Sequence, residues 1–329
     1  MEWVEQNISG VKLEKLRKDA QKKTKIMRRI LPCSFGVFVA MALLNKVWVL
    51  GYLDELQWGD STTTGLFFVL LGELMMAAIL SCVIYLFYSI LVWRKAYDRF
   101  NYSFKNKYVL DTIRRIPGFS RLKYNSQGGI TYEEMDRMNL IPKGDKVYFT
   151  SSDELTGELE GVRFRTSNVS TGQRPTGRRS LPDILFEGQV LIFSRFDDRK
   201  SSQGFVQVFS KKALPEIKRT TAPLNIHTEN SVFNENFVVF AENETNAFYI
   251  LTPQVLEQIT AFQEAMEGKV YLAFNEEELY VTCSQLRNPF DARLDLTVEE
   301  QCQQIIQDTN ILRSARDILV RAGEHSSPY

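Results

Sequence analysis

The chain has 329 residues, and its 40 lysines and arginines are balanced by 40 aspartates and glutamates, so the formal net charge is zero. The charge is segregated rather than absent, because a strongly basic N-terminus is offset by acidic residues later in the chain. The part after the apolar runs is not basic as a whole, which argues against a nucleic-acid-binding protein. The four cysteines lack the number and spacing of a disulfide framework or a zinc site.

The N-terminal segment 1–29 is predicted to be a basic amphipathic helix beside a membrane. Apolar residues recur there at near-helical spacing, and the cations lie mainly off that stripe. The cations expected at the membrane surface are Lys22, Lys23, Lys25, Arg28 and Arg29. They attract anionic lipid by about 1 kcal/mol each, or they serve only to set the topology.

Two long apolar runs follow, over 30–53 and 65–93, and predict a transmembrane hairpin. A spanning helix needs roughly 20 mainly apolar residues, because the bilayer interior has no water to satisfy backbone polar groups. A signal peptide has a shorter apolar stretch and a small-residue cleavage site. Two buried core helices of a soluble protein are disfavoured because Glu73 is the one charge between Leu66 and Val92.

The charges around the two runs predict their orientation. Basic residues precede the first run and follow the second, whereas the connector 54–64 contains three acidic residues and no basic one. Cationic flanks stay on the cytoplasmic side. The sequence therefore predicts a multi-pass protein of the plasma (inner) membrane with both termini in the cytoplasm.

Two charged residues fall inside the predicted spans, Lys46 in the first and Glu73 in the second. In an antiparallel hairpin both lie roughly 10 to 12 Å from the outer boundary, at about 1.5 Å rise per residue. They are predicted to form an ion pair that fixes hairpin or oligomer packing. Alternatively, Lys46 extends to the interface and Glu73 is protonated or faces a neighbouring helix.

Beyond the spans, the sequence predicts a stalk helix over 94–118, a cytosolic α+β domain over 119–323 and a tail over 324–329. The fold class is therefore α+β: a two-helix transmembrane hairpin, then a cytosolic domain with a mainly antiparallel sheet and a long C-terminal helix. More than 200 residues are ample for a separate core.

Local signals place the elements of this domain. Capping boxes at Thr131/Glu134 and Thr297/Glu300 predict two helix starts, and Thr252 followed by Pro253 predicts a third. Alternating side chains on both sides of Gly161 predict a hairpin. Further strands are predicted over 189–196, 204–210, 237–241, 247–251, 270–274 and 279–283, with a polar turn at 197–203. This spacing predicts that consecutive strands, such as 189–196 and 204–210, are antiparallel neighbours.

Four segments carry a resemblance to a known family: LKYNSQGGITYEEMDRMNL (122–140), LEGVRFRTSNV (159–169), FNENFVVFAENETNAFYILTPQVLEQI (233–259) and GKVYLAFNEEELYV (268–281). The chain resembles a bacterial family of two-span membrane proteins, domain of unknown function three-one-three-seven, some of whose members carry a galanin label. The resemblance covers both spans and most of the soluble part. It implies a cytoplasmic domain after two spans and transfers no catalytic residue. The segment 170–185 is predicted to be a variable loop.

The residues offer little for catalysis. His227 and His325 are the two histidines of the chain, so a metal site or a catalytic triad would depend on His227. Carboxylates crowd 153–160 and 276–278, where turns and strand ends favour solvated charge. No catalytic residue, metal or cofactor is predicted.

An arginine-rich loop is the remaining candidate site. Arg174, Arg178 and Arg179 lie among Gly and Pro and could contact lipid phosphate or an acidic partner, because arginine forks suit phosphate. A flexible exposed loop is the alternative. No nucleic-acid partner is expected.

The sequence thus favours a membrane-anchored, non-enzymatic interaction module that binds a protein or a lipid head group, or that self-associates. Two other hypotheses stay open. One is an oligomeric channel or transporter component that uses Lys46 and Glu73, and the other is a hydrolase whose motif the sequence does not reveal.

Overall fold

The computed structural model describes residues 2–54, 62–175, 181–194, 205–211, 222–266, 268–275, 278–284 and 288–324, of which 2–9, 45–54, 62–70 and 324 are described as backbone. The described chain forms two compact units. The first contains the residues up to Phe104 together with Ala292–Glu300. The second contains Lys105–Asp291 and the residues from Gln301 onward.

The first unit is built from long helices: α1 (Glu2–Asp54), α2 (Thr62–Tyr88), a π-helical turn (Ser89–Trp93) and α3 (Arg94–Ser103). Helix α1 packs against α2 and α3. The indole Nε1 of Trp93 donates a hydrogen bond of 2.8 Å to Thr24 Oγ1 and so sets the register of the hairpin. The basic segment and the first apolar run form one continuous helix, because Pro32 removes one backbone hydrogen bond without ending it.

Two helical stretches in the described part, Gly10–Leu44 and Leu71–Ile113, are long and apolar enough to cross a membrane. Their most apolar windows are 0% and 11% buried. Large apolar side chains therefore face outward along both helices, among them Val37, Met41, Met75, Ile79 and Phe87.

The segment Ala292–Glu300 is held against α1 and α3 in this unit. Arg17 is 7% exposed, pairs with Glu14 at 2.6 Å and donates from Nη1 to the Leu294 carbonyl at 2.8 Å. The Tyr97 hydroxyl donates to the Ala292 carbonyl at 3.2 Å. Arg17 is thus an anchor of this segment rather than a cation exposed beside a membrane.

The second unit opens with a π-helical turn that includes Lys105 (Phe104–Val109) and the short α4 (Leu110–Ile113). Nine strands follow: β1 (Phe119–Asn125), β2 (Thr150–Leu159), β3 (Val162–Gln173), β4 (Asp183–Ser194), β5 (Val206–Ser210), β6 (Leu224–Ile226), β7 (Phe237–Ala241), β8 (Val270–Phe274) and β9 (Glu278–Ser284). The helices are α5 (Tyr132–Met138), α6 (Ser231–Asn236), α7 (Glu244–Ile250), α8 (Pro253–Ala265) and α9 (Val298–Glu324), with a 3₁₀ turn at Lys146–Tyr148.

The strands of the described chain form one antiparallel sheet in the order β1-β2-β3-β4-β9-β8-β5-β7-β6. The predicted α+β class, with N-terminal apolar helices, an antiparallel sheet and a long C-terminal helix, is confirmed. The hairpin around Gly161 is also confirmed: Glu160 and Gly161 both have positive φ, as a two-residue hairpin turn requires.

One sheet face is covered by α5 and the residues that flank it. Met135, Met138 and Leu140 are at most 1% exposed and pack on Val190 and Tyr271 of the central strands. The predicted capping box of α5 is present, since Thr131 accepts from Glu134 N and the Glu134 carboxylate accepts from Thr131 N. Helix α5 is therefore fixed to the sheet at both its cap and its apolar face.

Three local predictions are wrong. Residues 247–251 were expected to form a strand but lie in and just after α7, because the Asn243 side chain caps a helix there. The segment 170–185 is not wholly loop, since β3 extends to Gln173 and β4 begins at Asp183. The strands predicted over 189–196 and 204–210 are not neighbours, because β9 and β8 lie between β4 and β5. The turn predicted at 197–203 lies outside the described residues.

Candidate functional site: a polar cleft under helix α5

A cavity of about 230 Å³ lies between α5 and strands β3, β4 and β9, and we name it the α5 cleft. Helix α5 contributes Glu134, Arg137 and Met138 to its lining. The strands contribute Arg163, Arg165, Ile192, Ser194, Glu278 and Tyr280. The lining combines arginine, glutamate, serine and tyrosine side chains, so the cleft presents both hydrogen-bond donors and acceptors.

The strand residues converge because of the sheet register. Arg163 lies opposite Ser194, which lies opposite Glu278. One step along, Arg165 lies opposite Ile192, which lies opposite Tyr280. Successive side chains of a strand point to opposite faces, so residues two apart share a face. The two rows therefore form one floor, charged at its ends.

Helix α5 forms the wall of the cleft. Glu134, Arg137 and Met138 are spaced at i, i+3 and i+4, which places them on one helix face. Met138 is 1% exposed and continues into the core, whereas Arg137 is exposed. Asn139 adopts the left-handed conformation and ends the helix directly after this face.

Arg165 fixes α5 to the sheet. Its guanidinium contacts Glu134 at 2.5 Å and Glu154 at 2.6 Å, and Nη2 donates to the Gly129 carbonyl at 3.0 Å. Burial alone would raise the pKa of Glu134, but hydrogen bonds from Arg165 and Thr131 outweigh it and lower that pKa. For Arg165 itself, burial is outweighed by its bonds to Glu134, and the pKa is raised. This fork is thus a structural clamp.

Glu278 is oriented by two hydroxyl groups. The Tyr280 hydroxyl donates a short hydrogen bond to Oε2, and Ser194 Oγ donates to Oε1 at 3.3 Å. Burial and the Glu278 carboxylate raise the pKa of Tyr280, so this hydroxyl keeps its proton at neutral pH. The cleft therefore presents a fixed carboxylate on the β9 side.

Two further guanidinium groups, those of Arg163 and Arg137, line the cleft together with that carboxylate. Arg163 and Arg137 are exposed, and Arg163 Nε lies 3.9 Å from Glu158 Oε1. An exposed ion pair at this separation contributes little binding energy. A guanidinium has five N–H donors, so it can bind a ligand in addition to a neighbouring carboxylate. The cleft can thus offer donors and an acceptor together.

Residues 184–318 match the model of the family described as "Protein of unknown function (DUF3137)". This part of the chain belongs to the DUF3137 family. The family predicted from the sequence is therefore confirmed. The DUF3137 region runs from β4 into α9 and contributes Ile192, Ser194, Glu278 and Tyr280 to the cleft.

No curated protein matches the chain. Among solved structures, the chain is similar to the mycobacterial trehalose monomycolate transport factor A, TtfA, with 11% identity, 65% of this chain and 93% of that chain covered, and a TM-score of 0.30. At that TM-score the likeness supports no statement about this chain.

A second polar cluster lies elsewhere in the sheet unit, around Asp153, which is completely buried. Lys105 Nζ contacts its two carboxylate oxygens at 3.0 and 2.8 Å, and Tyr124 and Asn288 donate short hydrogen bonds to it. Lys105 also contacts Asp291 at 2.5 Å. Burial opposes the charge on Lys105, but the bonds to Asp153 and Asp291 raise its pKa.

The geometry around Asp153 is unusual for a strand. Its φ is +57°, and the β2–β3 register shifts between Ser152 and Leu155. The bulge turns the Asp153 side chain into the interior. The sequence instead predicts that the carboxylates of 153–160 are solvated. That interpretation is wrong for Asp153, because a partner 48 residues away in sequence makes its burial possible. Since every charge in the cluster is paired, we assign it a structural role.

The predicted site residues lie outside the α5 cleft. Arg174 is exposed, and its backbone N–H donates to Asp145 at 2.9 Å; Arg178 and Arg179 lie outside the described residues. The Lys46 side chain is likewise outside them, and Glu73 is half-buried on α2. Of the N-terminal cations, Lys22, Lys25, Arg28 and Arg29 are exposed, and Lys23 pairs with Asp19 at 2.7 Å.

The histidines and cysteines also lie apart from the cleft. His227 is exposed, and His325 lies outside the described residues. Cys283 is fully buried, and burial raises its pKa to about 12, so its thiol is unreactive at neutral pH. Cys302 is half-buried.

Sequence reasoning missed Arg137, Arg163, Arg165 and Glu278 as one site. One signal was present: the predicted hairpin carries arginines at alternate positions, 163 and 165, which must share a sheet face. Strand β9, which pairs with β4 and carries Glu278, lies more than a hundred residues further along the chain than these arginines, beyond the reach of local patterns.

Proposed function

We propose that this protein is a non-enzymatic interaction module anchored in the plasma (inner) membrane by α1 and α2. The observation that supports the anchor is the outward-facing apolar surface of both helices, including Met41 and Phe87, which are 60% and 67% exposed. Contiguous apolar surface of this extent favours contact with lipid or protein. Helices satisfy their own backbone hydrogen bonds, as a spanning segment must.

The orientation follows from the charges that flank the spans. Lys22, Lys25, Arg28 and Arg29 are exposed on α1, just before its apolar stretch, and Arg94 and Lys95 are exposed after the second span. Cations near the ends of spans stay on the cytoplasmic side. Both termini and the sheet unit are therefore proposed to be cytoplasmic, with the connector 54–64 outside.

The sheet unit is proposed to be the binding part, for a protein or a lipid head group. Its α5 cleft has fixed walls, because the Arg165 clamp and the capping box hold α5 in place before any ligand arrives. A preformed site loses less entropy on binding than one that must be ordered.

The anchor and its orientation are tested by cysteine labelling in intact cells. In a background with the four native cysteines replaced, Ser61→Cys is expected to react with a membrane-impermeant maleimide from outside, whereas Ser326→Cys should react only after lysis. The protein should stay with membranes after an alkaline wash. Recovery in the aqueous fraction, or labelling of Ser326→Cys in intact cells, would overturn the proposal.

The interaction role is tested by crosslinking in native membranes. A defined crosslinked partner or a crosslinked homo-oligomer is expected at native expression levels. If neither is recovered, and detergent-solubilised protein is strictly monomeric and binds no head group, the interaction module is excluded.

A further inference from the structure

We propose that the α5 cleft binds a zwitterionic phosphate group of the phosphoethanolamine type, with Arg137 and Arg163 on the phosphate and Glu278 on the ammonium. This inference rests on the proposed binding role of the sheet unit and specifies its ligand. It is carried by the charges that the floor and wall of the cleft bring together.

The charges around the cleft limit the charge of the ligand. Three guanidinium groups at the cleft are surrounded by four carboxylates, those of Glu134, Glu154, Glu158 and Glu278. The cleft is therefore not purely cationic, and a ligand that carries several negative charges and no positive group would be repelled. A ligand that carries one group of each sign matches both kinds of lining residue.

Some charged side chains at the cleft are structural, and others can contact a ligand. Arg165 is held on one side by Glu134 at 2.5 Å and on the other by Glu154 at 2.6 Å, so this trio is internally compensated. Arg137 and Arg163 are exposed side chains at the wall and floor, and a guanidinium such as that of Arg163 has enough N–H donors to bind a ligand in addition to its neighbour Glu158. Glu278 is held by two hydroxyl groups, which leaves further lone pairs on its carboxylate for an ammonium group.

The two arginines favour a phosphate as the anionic group of the ligand. Guanidinium forks match the spacing of phosphate oxygens, and a phosphate has enough oxygens to accept from two arginines at once. Ammonium groups donate in three directions and suit a single oriented carboxylate. Phosphate at the arginines and ammonium at Glu278 satisfies both ends.

The size of the cleft limits the ligand to a small group. Its volume of about 230 Å³ is below the roughly 300–1,000 Å³ of sites for drug-sized molecules. A head group fits such a space, whereas acyl chains would have to remain outside. The same chemistry could come from a phosphatidylethanolamine head group or from free phosphoethanolamine.

The test is calorimetric titration of the full chain in a non-ionic, lipid-free detergent with phosphoethanolamine, inorganic phosphate, ethanolamine and β-alanine. Phosphoethanolamine is expected to bind most tightly. The single variants Arg163→Gln, Arg137→Gln and Glu278→Gln should each weaken it at least about tenfold, the effect of losing one charge-assisted hydrogen bond. The matched control is Arg115→Gln, an exposed arginine outside the cleft, which should bind as the unmodified chain does.

Two further measurements check that each variant is folded and show whether the bound phosphoethanolamine group comes from a lipid or from a soluble molecule. Ser194→Met fills the cleft without changing its charge and should also abolish binding, while thermal unfolding of each variant reports its folding. Reconstitution into bilayers of phosphatidylethanolamine, phosphatidylglycerol or phosphatidylcholine, read by crosslinking to a photoreactive head group, reports the lipid. Head-group crosslinking that depends on Arg163 identifies the lipid as the source, whereas free phosphoethanolamine binding without it identifies a soluble ligand.

Three results would overturn the inference. Inorganic phosphate could bind as tightly as phosphoethanolamine and ignore Glu278→Gln, which would make the cleft a simple anion site. β-Alanine could bind more tightly than phosphoethanolamine, which would make the cleft a carboxylate site. The third such result would be that correctly folded protein binds neither free phosphoethanolamine nor the phosphatidylethanolamine head group. Because binding is measured in detergent, failure of the anchor leaves this test intact, and failure of this test leaves the anchor intact.

Discussion

Lys105 Nζ lies 2.8 Å from Asp153 Oδ2, and this pair joins a π-helical turn to a strand bulge in the interior of the sheet unit. The Asp153 carboxylate is completely buried and Lys105 is 12% exposed. Burying two charges is costly unless both are paired and hydrogen-bonded. Tyr124, Asn288 and Asp291 supply the additional partners.

Removing one member of this pair should be strongly destabilising. Lys105→Met leaves the Asp153 carboxylate buried without its main counter-charge, and we expect a loss of about 3–5 kcal/mol in the free energy of unfolding. Urea titration followed by tyrosine and tryptophan fluorescence measures it. Lys123→Met, on the exposed side of β1, is the control and should change stability by less than about 0.5 kcal/mol. A similar small loss for Lys105→Met would show that the cluster is not a structural anchor.

Much of the fold could be predicted because its signals are local. The capping boxes at Thr131 and Thr297, the Pro253 helix start and the Gly161 hairpin each depend on residues within four positions of one another. The error over residues 247–251 arose because a strand-like pattern competed with the Asn243 cap, which favours a helix. Tertiary context decided between them.

The candidate site could not be predicted because its parts are distant in sequence. The pairing of β4 with β9 brings Ser194 next to Glu278, 84 residues further along. Asp153 looked like a solvated turn residue because nothing near it in sequence indicates Lys105 as its partner. Local periodicity gives the face of a residue but not the strand that lies beside it.

The Glu134–Arg165 clamp should make stability depend on acid pH. The folded pKa of Glu134 is lowered from 4.5: burial would raise it, but hydrogen bonds from Arg165 and Thr131 prevail. A lowered folded pKa stabilises the native state above pH 4.5, and that stability is lost as the pH falls from 4.5 through the folded pKa. The stability difference between the unmodified chain and Glu134→Gln should therefore shrink as the pH decreases below 4.5. Glu257→Gln on α8 is the control, and a constant difference for Glu134→Gln from pH 7 to pH 3 would contradict the assignment.

Thr282 in the centre of β9 should be replaceable with a gain in stability. Its side chain is 0% exposed, and its hydroxyl has no hydrogen-bond partner within the described residues. Valine has the same shape without the buried polar atom, so Thr282→Val should stabilise the protein by about 1 kcal/mol. The matched variant Thr171→Val should destabilise it, because the equally buried Thr171 donates to the Pro142 carbonyl at 2.7 Å. Equal shifts of the two melting temperatures would refute this distinction.

The Lys46–Glu73 pair stays a prediction, and the backbone register of the hairpin motivates its test. The Trp93–Thr24 hydrogen bond gives one point of the antiparallel register. Glu73 lies twenty residues before Trp93, so the position opposite it on α1 is twenty residues after Thr24. That position is residue 44, two residues before Lys46. If the pair forms, Lys46→Leu should destabilise the helical unit, because it leaves a charge without its partner at depth. The double variant with Glu73→Leu should recover most of that loss, with a coupling energy of at least about 1 kcal/mol. Unfolding in mixed micelles of increasing dodecyl sulfate content measures the cycle, with Met75→Leu as the neutral control on α2. Additive effects of the two single variants would mean that the residues act independently and that Lys46 extends to the membrane interface instead.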